Sequence, residues 1–359
     1  MAGLIVADWV EKVGGAERVL EEVLKVFPNA NVYSLWSDKG PSELGLSEKQ
    51  LKESHLSKSF LRSHKALALP FMPDAFRDIE NENYEWIFTS SHLFAHHASV
   101  KNTELKKYSY VHSPARYIWE PGIDRRGEIV ARSVLGSYFK SLDKKRSVES
   151  HLIAANSNFV RERIQRCWGR DSNVIYPPVD VLYFNQYAAD SEFTKKLPES
   201  YVLGVSRFIP YKNLELVIDY AQVVGLPVVL AGAGPEEAKL RNYARQKQVK
   251  ASFFINPHKQ ELRLLYQNAA TLVFPPCEDF GIVPVEAMAA GTPVVALNRG
   301  GSSETVIDGQ SGFTIPEFSV KYIREAHEVC RTVTSAGCVA RAANFSAERF
   351  SNSIRGWVL

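Results

Sequence analysis

Two glutamates eight positions apart, Glu278 and Glu286, flank the segment Phe280-Gly281-Ile282-Val283-Pro284. An apolar run, Thr271–Phe274, precedes them and an apolar helical pattern follows. A strand therefore ends just before Glu278, and a helix is expected to open at Pro284, because proline suits a first helical position. Gly281 allows close approach of the backbone to a ligand, and the N–H groups of Gly281, Ile282 and Val283 would point at it. Helix N-termini hold phosphate through such free N–H groups and the helix dipole. Both carboxylates accept hydrogen bonds, which suits ribose and sugar hydroxyls. An isolated glutamate pair reads more simply as a loop charge and a helix-dipole partner. The strand–Glu–Phe-Gly–Pro–Glu context favours a diphosphate cradle instead.

A second constellation, Gly204–Asn213, places Arg207 and Lys212 on a loop after another apolar strand. Breaking a sugar–phosphate bond puts extra negative charge on a nucleoside diphosphate. Cations aimed there stabilise the transition state more than the ground state. Alone, the pair would be a solvated loop. In the first half, Gly14-Gly15 follows the first strand and opens a helix, so it either brings amides near an anion or is a simple glycine-rich turn. His112 stands at a strand end, and Arg116, Tyr117 and Trp119 next to it suit stacking on a sugar ring. Gly232 and Gly234 read mainly as turn glycines, with nucleotide contact as the alternative, while Gly300, Gly301 and Glu304 read equally as a turn with a helix-start charge or as a functional loop. His92 and His96 are spaced as a metal pair might be, but no zinc-protease glutamate accompanies them or His97; capping and packing explain them better. The chain has no Asp-x-Asp triplet. No metal ligand is assigned and no cofactor is expected.

These residues need a frame of strands whose ends lie side by side. Apolar, β-branched runs alternate with helical patterns throughout: strands at 4–7, 31–35, 86–90, 108–112, 152–156 and 173–176, with helices at 16–26 and 158–167. The second half repeats the rhythm, with strands at 201–205, 228–231, 252–255, 271–274 and 294–297. Helices follow at 214–224, 236–246, 259–268, 284–290 and 302–306. Alternation of this kind gives parallel sheets with helices on both faces. Pro177-Pro178 ends one half and a polar stretch leads to the next strand. We expect an α/β protein of two doubly wound, Rossmann-like domains facing across a cleft. Residues 1–183 would form the first, 184–341 the second, and 342–359 a helix crossing back, with Phe350 and Trp357 packing on the first.

The 359 residues are 45% hydrophobic and 23% charged, with a net charge of +3 that does not argue for nucleic acid. The four cysteines, Cys167, Cys277, Cys330 and Cys338, form no Cys-x-x-Cys pair and read as reduced thiols. The N-terminal apolar run is too short for a signal peptide, and a cytoplasmic protein is expected. Lys58, Arg62 and Lys65 lie among apolar residues between 57 and 73, a pattern that fits either an ordinary amphipathic segment or contact with an anionic membrane on its inner face.

On these residues the chain resembles glycosyltransferase family 4, retaining enzymes of the GT-B fold, nearly end to end. Its Glu-x7-Glu pattern is met by Glu278 and Glu286, its diphosphate-holding pair by Arg207 and Lys212, its glycine loop by Gly14-Gly15, and its active-site histidine by His112. GGAERVL, HSPARYIW, VIYPPVD, SRFIPYKN and EDFGIVPVEA are similar to bacterial mannosyltransferases that extend O-antigen or related polysaccharides. His-Ser-Pro replaces the commoner His-Thr-Pro. The resemblance implies transfer of a hexose, mannose from GDP-mannose, to a saccharide or lipid-linked acceptor, with an α-linkage. It assigns His112, Arg207, Lys212 and Glu278 to catalysis. Gly14, Gly15, Phe280–Val283 and Glu286 would bind the donor, and Arg116, Tyr117 and Trp119 the acceptor. A UDP-sugar donor, an epimerase of the same architecture and a non-catalytic nucleotide-sugar-binding protein remain alternatives. A dinucleotide oxidoreductase is disfavoured, because no complete glycine fingerprint with its downstream acid is present.

Overall fold

The computed structural model describes residues 3–101, 104–120, 134–187 and 191–358. Residues 188–190, part of the polar stretch expected between the halves, lie outside the described residues. The chain divides into two units, residues 1–178 with 350–359, and residues 179–349.

In the first unit the described strands are β1 (Gly3–Ala7), β2 (Asn31–Ser34), β3 (Leu51–Glu53), β4 (Trp86–Ser91), β5 (Lys106–Val111), β6 (Leu152–Ala155) and β7 (Asn173–Val174). They form one parallel sheet in the order β3-β2-β1-β4-β5-β6-β7. Alternate residues of β1 serve two cores: Leu4 and Val6 face one, Ile5 and Ala7 the other. Helix α1 (Gly15–Val26) adds Val19, Leu20, Val23 and Leu24, a stripe at helical spacing, to the second core. Helices α2 (Val134–Ser147) and α3 (Asn158–Trp168) follow, and Ser157 Oγ caps α3 by accepting the Val160 N–H at 3.1 Å.

The C-terminal helix, Ala347–Val358, closes this unit with aromatic contacts. Phe350 meets Tyr110 edge-on at 5.8 Å, and Trp357 meets Tyr108 at 5.6 Å and Phe88 at 6.2 Å.

The second unit contains β8 (Val202–Val205), β9 (Val228–Gly232), β10 (Ala251–Ile255), β11 (Thr271–Phe274), β12 (Val294–Leu297) and β13 (Gly312–Ile315). All pair in parallel, in the order β10-β9-β8-β11-β12-β13. Its longer helices are α4 (Glu215–Val224), α5 (Glu237–Gln246), α6 (Lys259–Gln267), α7 (Ile282–Ala289), α8 (Val320–Thr332) and α9 (Ser335–Ala342). The strand order reverses between β8 and β11. Ligands of such sheets bind outside the carboxyl ends of the strands at that switch point, where the loops carrying Arg207 and Glu278 begin. In the first unit the corresponding neighbours are β1 and β4.

The expected division after residue 183 moves to Pro178/Val179. The Val179 N–H donates to Phe345 O at 2.9 Å, and Lys259 pairs with Asp180 at 2.6 Å. Arg263 donates to Tyr183 O at 3.2 Å, so 179–183 are bonded into the second unit. Residues 342–349 stay there too; the last helix starts at Ala347 rather than 342, and only its part from Phe350 onward belongs to the first unit. Helix α7 begins at Ile282, two residues before Pro284, with Gly281 in left-handed geometry at φ 89° as its N-cap. Pro284 thus sits inside the first turn, where a missing N–H leaves no bond unmade.

Candidate functional site

In the second unit two loops meet. Lys212 Nζ and the Glu278 carboxylate form an ion pair, joining the loop after β8 to the loop before α7. Lys212 is only 8% exposed, so the pair is drawn largely out of water. Tyr211 stands between the cations: its ring lies 4.9 Å below Lys212 Nζ, and its hydroxyl accepts from Arg207 Nη2 at 3.2 Å. Arg207 is exposed. The N–H groups of Gly281, Ile282 and Val283 open α7, and a helix's first N–H groups have no partner within it. Two cations on one loop and a helix N-terminus on the other are thereby gathered within one unit.

Each loop is backed by a glycine turn. A side chain at Gly232 would lie 2.9 Å from the Ser206 carbonyl carbon, and one at Gly234 2.8 Å from that of Phe208. The Phe208 N–H donates to Ala233 O at 2.8 Å. Behind the other loop, a Cβ at Gly300 would fall 2.8 Å from Glu278 O, and the Gly301 N–H donates to that oxygen at 2.8 Å. These four glycines set how closely each bearing loop can be approached from behind.

Other assigned residues are placed differently. Glu286 is buried at 3% exposure and accepts from Tyr266 Oη at 3.1 Å. Because α7 starts at Ile282, Glu286 falls one turn in rather than in the first turn. The Phe280 ring is buried edge-on against Phe345 at 5.6 Å and is not part of the cradle. Ile282 and Val283 are half-buried.

The first unit holds the rest. His112 follows β5; its Nε2 lies 2.9 Å from Ser90 Oγ, and its N–H donates to Ser91 O at 2.8 Å. His92 lies 6.4 Å away, ring to ring, in T-shaped contact. Gly14 is extended, and the buried Glu17 carboxylate, which accepts the Glu11 N–H at 3.0 Å, fills the space beside it. The Gly14-Gly15 turn therefore already faces an acidic group of its own helix. Arg116 and Tyr117 are half-buried in a one-turn helix. Trp119 directs its indole N–H inward to Asp143 Oδ2 at 2.6 Å, so that donor is not available to a sugar hydroxyl.

The three neighbouring histidines do not act together. His92 lies beside Asp8, while His96 and His97 turn to Asp143. Asp8 has no accessible surface and accepts four backbone N–H groups, from His92, Leu93, Phe94 and Ala95, at 2.7 to 2.9 Å. A buried N–H left without a partner costs about 1–3 kcal/mol. Asp8→Ala is therefore expected to lower stability by about 3 kcal/mol or more. The result would be a drop in melting temperature with a disordered 92–97 turn; an unchanged melting temperature would remove Asp8 from this role. Neither aspartate carries a signal in the sequence alone.

Burial pushes the thiol of Cys167 up to about 11 and those of Cys330 and Cys338 to about 12; all four cysteines are free. In the 57–73 segment Phe60, Leu67 and Phe71 are exposed, but Arg62 and Lys65 pair with Asp38 and Glu11, both at 2.6 Å. No described helix is long and apolar enough to cross a membrane.

Two family models match the chain: Glycosyltransferase Family 4 over residues 13–181 and Glycosyl transferases group 1 over 187–328. It is 27% identical over 241 residues to alpha-1,3/1,6-mannosyltransferase ALG2 of Homo sapiens, covering 57% of this chain and 58% of the relative. It is 29% identical over 184 residues to the O-antigen chain mannosyltransferase C of Escherichia coli, covering 49% of each. The chain thus spans about half the length of the curated relatives it matches. Among solved structures, Anabaena Alr3699/HepE in complex with UDP and glucose superposes with a TM-score of 0.71 at 19% identity, covering 99% of this chain and 98% of that one. WaaG, a glycosyltransferase involved in lipopolysaccharide biosynthesis, superposes with a TM-score of 0.67 at 12% identity, covering 99% of both chains. At such identities these likenesses establish the fold, two parallel-sheet units of the GT-B type.

Proposed function

Since the chain belongs to glycosyltransferase family 4, we propose that it transfers a hexose from a nucleoside diphosphate-sugar to a hydroxyl of a saccharide or lipid-linked saccharide, with retention and without a metal at the diphosphate. The observation that carries this reading is the Lys212–Glu278 ion pair, which ties the cation-bearing loop after β8 to the loop that leads into α7. Lys212, Arg207 and the α7 N-terminus hold the diphosphate, and Glu278 receives hydroxyls of the sugar that leaves it. Glu286, braced by Tyr266, orients the ribose end. His112, oriented by Ser90, contacts the sugar, and Arg116 and Tyr117 with the face of Trp119 belong to the acceptor side.

The bond from the anomeric carbon to the diphosphate oxygen breaks, and its electron pair stays on the diphosphate. The acceptor oxygen attacks from the face the diphosphate leaves, and its proton passes to a phosphate oxygen. Arg207 and Lys212 meet the charge that this bond-breaking develops, so their effect grows towards the transition state. An epimerase would act with no acceptor present, and a non-catalytic binder would bind donor without turnover.

Mannose from GDP-mannose is the proposed donor, supported by the mannosyltransferases among the relatives. The protein is proposed to work in the cytoplasm, with Phe60, Leu67 and Phe71 offering peripheral contact with an anionic membrane. A thermal-shift panel of GDP-, UDP-, ADP- and dTDP-sugars tests the donor, because a ligand of the native state raises its melting temperature with occupancy. GDP-mannose should give the largest rise. A larger rise with a UDP-sugar would move the donor to uridine, and no rise with any sugar nucleotide would remove the reading. EDTA should leave transfer within about twofold; loss of transfer at an unchanged melting temperature would overturn the metal-free step.

A further inference from the structure

Behind His112 the first unit contains a closed polar centre that the transfer reaction does not use. Asp143, on α2, has no accessible surface, and neither do His96 and His97. Asp143 Oδ2 accepts two indole N–H groups, from Trp119 at 2.6 Å and Trp168 at 2.7 Å. Its Oδ1 accepts from His97 Nε2 at 3.1 Å and lies 3.0 Å from His96 Nε2. The second contact is not a hydrogen bond. The oxygen lies off the ring N–H direction, and His96 Nε2 is a buried nitrogen without a hydrogen-bond partner among the described residues.

The His96 ring is held from its other side, where Nδ1 lies 2.9 Å from Ser91 Oγ. Ser91 Oγ can either accept from or donate to Nδ1; with the proton on Nδ1 the Nε2 lone pair faces the Asp143 carboxylate, and a cation placed between them would satisfy both. The three possible ligand atoms, one from each of His96, His97 and Asp143, lie within 4.8 Å of one another.

We propose that His96, His97 and Asp143 bind a divalent transition-metal ion of the zinc class at a structural site. Zinc bonds of about 2.0–2.2 Å to nitrogen and oxygen in a tetrahedral set place the ligand atoms about 3.3 Å apart. The two Nε2–Oδ1 separations of 3.0 and 3.1 Å are a few tenths of an ångström short of that. Two imidazoles and one carboxylate suit zinc, cobalt, nickel or copper rather than magnesium or calcium. Three protein ligands leave a fourth position for water.

The surroundings match what such a site requires. The Trp119 and Trp168 N–H groups fix the carboxylate, and Ser91 fixes the His96 ring, as outer partners of metal ligands do. The spacing weighed in the sequence, His92 with His96, is not the one that converges. Asp143, 46 residues after His97, supplies what the local pattern lacked. The site would also brace the reaction centre, since Ser91 holds His96 through its side chain and His112 through its carbonyl oxygen.

The test uses the full chain with any affinity tag removed, stripped with a strong chelator and titrated with Co2+ alone. One equivalent should bind with the visible d–d absorption of a four-coordinate nitrogen–oxygen site, and Zn2+ should displace it. Zn2+ should also raise the melting temperature of the stripped chain by several degrees. His96→Gln and His97→Gln should abolish the band while retaining the far-ultraviolet circular dichroism of the parent. Absence of the band in the parent chain, or a melting temperature indifferent to both Zn2+ and chelator, overturns the proposal. A folded variant that keeps the band overturns it equally, by placing the ion on other histidines. If neither variant folds, the parent titration alone decides. None of these readouts needs a sugar nucleotide, so the transferase reading stands or falls separately.

Discussion

Lys212→Ala is expected to lower turnover by about 10²–10³-fold, the usual loss when one preorganised donor to a developing charge is removed. The physical reason lies in where this lysine sits. It is 8% exposed and paired with Glu278, so its charge acts in a medium that screens less than water. KM for the donor should rise far less than turnover falls, because the interaction strengthens as the diphosphate departs. Stability should change little. The Glu278 side chain retains 23% of its accessible surface and can be rehydrated when its partner is lost. Lys212→Arg is not expected to restore the rate, since a planar fork does not replace a compact ammonium in a closed space. Steady-state kinetics with a melting curve on the same sample check this, and a turnover within threefold of the parent, on a folded variant, would take the leaving-group role away from Lys212.

Gly301→Ala should be nearly as damaging without touching substrate. The backbone at 301, φ −64° and ψ −23°, suits alanine, so no conformational strain is introduced. The difficulty is space: a Cβ there would stand 2.6 Å from the Asp279 carbonyl carbon. The loop before α7 must retreat, and with it Glu278, whose carbonyl oxygen the Gly301 N–H holds. A shift on the order of 1 Å in a positioned group costs about 10²-fold. Gly356→Ala is the control, because nothing lies within 4 Å of its Cβ and it occupies a helix. There alanine should be neutral or stabilising by up to about 1 kcal/mol. If Gly301→Ala retains full kcat/KM, the glycines do not set the loop.

The parallel sheets were legible because their strands are short, apolar and separated by helical patterns. β3, Leu51–Glu53, was not, since three residues with two charged ones carry no alternation. β13, Gly312–Ile315, opens on a glycine and was missed for a similar reason. The Gly281 and Pro284 punctuation located α7 to within two residues. That small error moved Glu286 from the first turn to the second, where it is buried and accepts from Tyr266. Asp8, Asp143 and Tyr211 had no local signature at all. Each acquires its part from groups distant in the chain, and only the fold brings those groups to it.

The aromatic docking of Ala347–Val358 has a bearing on biogenesis. Synthesis on the ribosome proceeds from the N-terminus, so every residue of 179–349 is made before Phe350 and Trp357 can reach Tyr110, Tyr108 and Phe88. The unit started first therefore waits for a segment made after the whole second unit, and until that segment emerges its sheet shows an uncovered aromatic flank. A nonsense codon just before Phe350 would spare the second unit's sheet and leave that flank permanently bare.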